Sequence, residues 1–189
     1  MASFNIVDEC LVPKRLAWLY YRGPDAVGFL RDIKGNLRFI FETSTTRVRE
    51  RKLMWDYSGD PIRFYSEFWV VKEFSRFTEM WVSIRTLGYV SKGTQHGNWS
   101  LELYGDLRHK FEPSNWLLKY TWLLYNYLFY NKIRERYIIM CRDYIQKFLN
   151  WVKEKYNLRT VTTPEATLEE LEEEKKIDEI THSKPQPPS

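Results

Sequence analysis

The sequence predicts an α+β domain: a curved antiparallel sheet of about six strands in its first two thirds, a long helix after it, and an acidic tail. Three observations predict this. Short apolar runs separated by turn residues occupy 37–111. After Pro113 the apolar spacing changes to three and four, and beyond residue 160 the composition turns acidic and Pro-rich. At 189 residues the chain fits one ordinary domain, 1–160, plus a tail, 161–189, and the core of such a domain needs neither disulfide nor metal. An apolar fraction of 43% and an aromatic fraction of 17% exclude a disordered chain.

The first strand is expected over 14–22, where Leu16, Trp18 and Tyr20 share one parity and Ala17, Leu19 and Tyr21 the other, as in a strand covered on both faces. Gly23 and Pro24 end it. Pro24 suits the first position of a short helix carrying Val27, Leu30 and Ile33 on one face, and Gly35-Asn36 reads as a turn. Consecutive strands are then expected over 37–43, 47–57, 62–72, 77–90 and 99–111, with Ser58-Gly59-Asp60-Pro61 and the stretch 92–97 as punctuation. Connections this short make neighbours antiparallel.

The strand from Arg47 changes phase. Arg47, Arg49 and Arg51 share parity with Trp55 and Tyr57, and a charged face becomes an apolar one only through a twist or a bulge. After Pro113, with Ser114 as cap, the stripe Ile133, Tyr137, Cys141, Tyr144, Phe148 and Val152 defines a helix whose Arg134, Arg142, Lys147 and Lys153 lie off that stripe. Upstream of it, 115–131 carries a single charge, Lys119, and is apolar nearly all round. Its length is at the lower margin for a bilayer and it is interrupted by tyrosines, so a buried or self-associating helix is the first expectation and an interfacial helix the second. Thr163-Pro164 opens a short acidic helix in the flexible tail.

Net charge is +4, with eight acids against three lysines in 164–189, which leaves +9 on the body. Such a surface serves solubility or an anionic partner. Cys10 and Cys141 are far apart, without metal-like spacing, and neither implies a disulfide. The N-terminus lacks an apolar run of signal-peptide length, so a cytoplasmic location is expected.

No dinucleotide, P-loop, zinc-protease, serine-hydrolase or calcium-loop motif occurs, so no catalytic residue, cofactor or metal is assigned and the enzyme reading ranks last. His96, His109 and His182 have no ligand-like spacing. Glu50, Glu67, Arg85 and His109 fall in or beside strands, where an inward charge must be paired or used on a ligand. The run Arg47, Arg49, Arg51, Lys52 beside Trp55 and Tyr57 has the ingredients of single-strand nucleic-acid binding, yet Glu50 interrupts it and no accompanying motif occurs, so nucleic acid is not an expected partner.

The order of elements, together with Pro24-Asp25-Ala26-Val27 leading to Leu30-Arg31-Asp32-Ile33, the pattern around Gly97-Asn98-Trp99, and the two-part ending over 116–156, resembles the START-like superfamily of polyketide cyclases and related binding proteins (SRPBCC) over residues 3–157. The resemblance implies a helix-grip fold, in which a curved sheet grips the last helix around an apolar cavity. On it, Phe64, Phe68, Met80, Val82, Ile84, Trp99, Leu101 and Leu103 would line the inner sheet face, with Trp122 and Phe129 facing them. The function it implies is binding of a hydrophobic, lipid- or isoprenoid-like small molecule. The alternative is an interaction module that uses 115–131 to form a homo-oligomer or touch a membrane surface, and the basic body to recruit an anionic partner.

Overall fold

The computed structural model describes residues 4–93, 96–111, 120–121, 124 and 130–158. Six strands, β1 (Phe4–Glu9), β2 (Ala17–Pro24), β3 (Val48–Asp56), β4 (Ile62–Ser75), β5 (Thr78–Val90) and β6 (His96–Phe111), form one antiparallel sheet. Two helices, α1 (Gly28–Ile40) and α2 (Asn131–Tyr156), pack on one face of it. The strand order is β1-β6-β5-β4-β3, and β2 also pairs with β6. The compact unit runs from Met1 to Leu158. The tail lies outside the described residues.

β6 is the spine of the sheet. Its 16 residues pair with β5 on one side and on the other with β1 and β2 laid end to end, Glu9 opposite Asp106 and Ala17 opposite Leu103. β1 has no counterpart among the strands expected from sequence. Alternation in six residues that include Asn5, Asp8 and Glu9 is too short a signal, and pairing with β6 supplies the order instead.

Residues 37–43 are not a strand. α1 continues through Gly35 and Asn36 to Ile40, because Leu37, Ile40 and Phe41 extend the stripe of Phe29, Leu30 and Ile33 into the core. Gly35 is on an open side, and the Asn36 side chain donates to the Asp32 carbonyl at 2.8 Å. Burying three large side chains outweighs the roughly 1 kcal/mol helix penalty of a glycine. The helix starts later than Pro24, which ends β2, at Gly28, whose N–H donates to Asp25 Oδ1 at 3.0 Å. It stops where Glu42 turns left-handed at φ 49°.

The phase change on β3 is a bulge: Glu50 pairs with Phe68 and Lys52 with Glu67, so Arg51 has no opposite number. Before it Val48 faces the helices, and after it Leu53 and Trp55 do. Among the described residues β3 is an edge of the sheet, and a bulge with a basic row discourages further strand pairing there.

α2 crosses the same face with Cys141, Ile145, Phe148, Leu149 and Val152 buried. A Cβ at Gly105 would come within 2.6 Å of Ile145 Cδ1, so glycine at this point of β6 sets how closely the helix approaches. Cys10 and Cys141 form a disulfide across the seam, with Cα atoms 5.8 Å apart. The expectation of unpaired cysteines is thus corrected: a separation of 131 residues hides a proximity that only the packing of α2 against the end of β1 creates. Closing a loop of that length is worth about 2–5 kcal/mol. Urea denaturation of the Cys10→Ser, Cys141→Ser double variant is expected to show a loss in that range, and an unchanged midpoint would rule out a stabilising role for the bond.

Candidate functional site at the inner face of the sheet

Alternation along β4, β5 and β6 turns Phe64, Phe68, Met80, Val82, Ile84, Trp99, Leu101 and Leu103 to the same inner face, each at most 2% exposed. The structure brings these eight together in one apolar cluster with α1 and α2. Trp122 and Phe129 lie outside the described residues, as does most of 115–131. The cluster is dense at one end, where the Trp99 ring stacks on Phe29 with centroids 3.8 Å apart and meets Tyr156 edge-on at 5.5 Å. Tyr156 in turn donates to Asp32 Oδ2 at 2.6 Å, tying the end of α2 to α1.

Polar atoms interrupt this surface in two places. The first is the row Leu53, Ser66, Thr86, Leu101, which crosses β3, β4, β5 and β6. Ser66 and Thr86 are fully buried neighbours on adjacent strands, and neither Oγ nor Oγ1 has a hydrogen-bond partner among the described residues. Trp99 Nε1, on the next row, is likewise unpartnered. Leu53, at the edge of the same row, faces inward yet is 46% exposed, so the row runs from solvent to core. The signal in the sequence was a hydroxyl at an apolar parity, Phe64-x-Ser66-x-Phe68 and Val82-x-Ile84-x-Thr86, which was not singled out.

The second lies at the opposite end of β6. His109, 2% exposed, shares a hydrogen bond between its Nδ1 and the Tyr130 hydroxyl at 2.8 Å, with Thr78 Oγ1 at 3.0 Å from the same nitrogen. Its Nε2 faces Asp8 Oδ2 at 3.2 Å, too poorly aligned for a proper hydrogen bond. Arg134, at the start of α2, donates to both Asp8 oxygens, from Nε at 2.8 Å and from Nη2. Burial lowers the His109 pKa, and although Asp8 pulls the other way, Arg134 adds to the lowering. Burial alone would raise the Asp8 carboxyl, but the bonds and charge of Arg134 hold it below the ordinary value. The arrangement favours a neutral imidazole beside a paired carboxylate, a polar cluster that anchors α2 to β1 and β6.

The other strand charges are satisfied outside the apolar cluster, Glu67 on the outer face and Glu50 at the β3 edge beside α1. Glu67 points outward between Arg51 at 4.0 Å and Arg85 at 3.7 Å, and Glu50 pairs with Lys34 of α1 at 2.9 Å. Among the described residues no group of His, Cys, Asp and Glu could hold a metal ion, and no helix is long and apolar enough to cross a membrane.

No family model and no curated protein matches the chain. Among solved structures, the crystal structure of the Mll3558 protein from Rhizobium loti aligns with 78% of this chain and 97% of its own, at 10% identity and a TM-score of 0.20. A likeness at that level carries no argument.

The two shifted groups fix a pH dependence. Between its lowered folded pKa and 6.5, His109 binds protons in the unfolded state but not in the folded one, so its contribution is complete above 6.5 and shrinks as pH falls below it. Asp8, also lowered, contributes fully above 3.8 and loses stability as pH falls toward its folded pKa. Thermal melts are expected to show stability declining in two stages on acidification, the stage just below pH 6.5 being absent in His109→Gln.

Proposed function

We propose that this chain is a START-like, helix-grip protein that binds a hydrophobic small molecule, lipid- or isoprenoid-like, between the inner sheet face and the C-terminal helix. The placement of the N-terminal strands beside the last strand, with both helices on one face, supports the reading. The observation that carries it is the set of three buried atoms without partners, Ser66 Oγ, Thr86 Oγ1 and Trp99 Nε1, amid apolar side chains. Each such atom costs about 1–3 kcal/mol when left unpaired, and an oxygen on a ligand removes that cost.

The chemistry of the surroundings narrows the ligand. Phe64, Phe68, Ile84 and Leu101 flank the two hydroxyls, so a carboxylate or phosphate seated there would lose its hydration with no cation to replace it. A neutral alcohol, ketone or ester fits, its apolar body supplying affinity and its one oxygen meeting the polar atoms. Leu53, exposed at the β3 edge, is where this row comes nearest to solvent. The reaction class is binding; His109 Nε2 faces a carboxylate already held by Arg134, and the cluster is given no catalytic step. The buried disulfide favours an oxidising compartment or the cytoplasm of a thermophile over an ordinary reducing cytoplasm, since those are the settings in which such bonds persist.

Native mass spectrometry of the full chain purified without added ligand, followed by organic extraction, tests the reading. A reproducible neutral hydrophobic adduct on the monomer is expected, depleted in Ser66→Ala and Thr86→Val. In the stripped protein Thr86→Val is expected to leave stability equal or raised, since it removes an unpaired hydroxyl. A ligand-free wild-type protein forming a defined oligomer would contradict the proposal.

A further inference from the structure

The outer face of the sheet, away from both helices, carries a groove that inner-face binding does not use. One cross-strand row on this face reads Arg49, Trp69, Ser83, Tyr104. Trp69 and Tyr104 lie two strands apart, about 9.6 Å between their backbones, and with the small Ser83 between them the face carries a notch of about 180 Å³. At its floor the Ser83 hydroxyl is buried without a partner among the described residues. Toward β3 the notch continues into a hollow of about 390 Å³ that shares Trp69 and Trp81 with it. Toward Leu16 it continues into one of about 260 Å³ that shares Ser83, Arg85 and Tyr104. The three form one groove across the sheet.

The groove is fixed in place by its own contacts. The guanidinium of Arg51 lies 4.1 Å from the centre of the Trp69 ring and that of Arg108 lies 4.3 Å from the centre of the Trp81 ring. Each indole N–H donates to a carboxylate at 3.1 Å, Trp69 to Glu67 and Trp81 to Glu79. Glu67 and Asp106, 8% and 5% exposed, are held by arginines on the neighbouring positions. Side chains ordered before binding lose little rotamer freedom when a ligand arrives.

Charge decides what the groove takes. Arg47, Arg49, Arg51, Arg85 and Arg108 stand against Glu67, Glu73, Glu79, Glu102 and Asp106 along and beside its walls, five of each sign. A nucleic acid needs unneutralised cations along its phosphates, and a charged peptide needs a field of one sign; a balanced groove offers neither. What it offers is aromatic faces for C–H surfaces, paired acceptors on carboxylates, paired donors on guanidinium groups, and one hydroxyl at the floor. We propose that this groove binds a neutral oligosaccharide, with one sugar ring seated in the Ser83 notch between Trp69 and Tyr104.

The test titrates the full chain with cellohexaose, maltohexaose and chitohexaose, read by tryptophan fluorescence and calorimetry, beside an anionic galacturonate oligomer of the same length. Saturable binding to at least one neutral sugar, little affected by salt, is expected. Ser83→Leu and Tyr104→Ala should each weaken it roughly tenfold or more, while Leu87→Ser, on the outer face beyond the groove, leaves it unchanged. Circular-dichroism melts establish that each variant is folded, and Ser83→Leu, which only fills the notch, stands alone if Tyr104→Ala does not fold. Absence of binding to all three neutral sugars overturns the proposal. So does tighter, salt-sensitive binding of the anionic oligomer, or affinity that survives filling the notch.

Discussion

The seam between β6 and α2 is the constraint on which the rest of the structure depends. β6 is the strand shared by β1, β2 and β5, so every other part of the sheet is placed through it. α2 can lie along it because Gly105 offers no side chain where Ile145 arrives, and because Cys10 and Cys141 meet at the same level. At the two ends of the seam the helix is held by different chemistry. Aromatic stacking among Phe29, Trp99 and Tyr156 closes one, and the buried bonds of Asp8, His109, Tyr130 and Arg134 close the other. Moving the helix by one turn would break both, which is why a sheet with an edge at β3 still presents one defined inner surface.

That surface and its opposite solve burial differently. On the inner side, strand alternation delivers apolar side chains so consistently that Ser66 and Thr86 stand out as unpaired exceptions. On the outer side the same alternation delivers arginines, carboxylates and tryptophans, and these satisfy one another by ion pairs and ring contacts rather than by exclusion of water. The inner exceptions motivate a neutral, mostly apolar ligand, and the outer balance motivates a neutral, hydroxyl-rich one. Both inferences rest on polar atoms whose needs the protein's own groups leave unmet.

Much of this was legible where the signal was local and periodic. The α2 stripe from Tyr137 to Val152, the long strands β4 to β6, and the bulge needed on β3 to reconcile its arginines with Trp55 all follow from side-chain period. Parity groups Phe64 with Phe68, Met80 with Val82 and Ile84, and Trp99 with Leu101 and Leu103, while their shared inner face follows from the register between the strands. Less was legible where the answer depended on distant partners. Gly35-Asn36 has turn composition, and only the core that receives Leu37 and Phe41 keeps it helical. β1 acquires its order from β6, and the disulfide from a packing contact 131 residues long in sequence. The outer groove needs the register of three strands at once, since no single strand contains the sequence Trp69, Ser83, Tyr104.

The measurement that bears most directly on the inner surface as a binding site is a methyl NMR comparison of the protein as purified and after denaturation, extraction and refolding. Assigned methyls of Ile84, Leu101, Leu103 and Val82 would be followed, with Leu87 on the outer face as reference. The account predicts shift changes confined to the inner-face methyls when bound molecules are stripped, reversed on adding back the extract. Identical spectra before and after extraction, with no response to the extract, would contradict it.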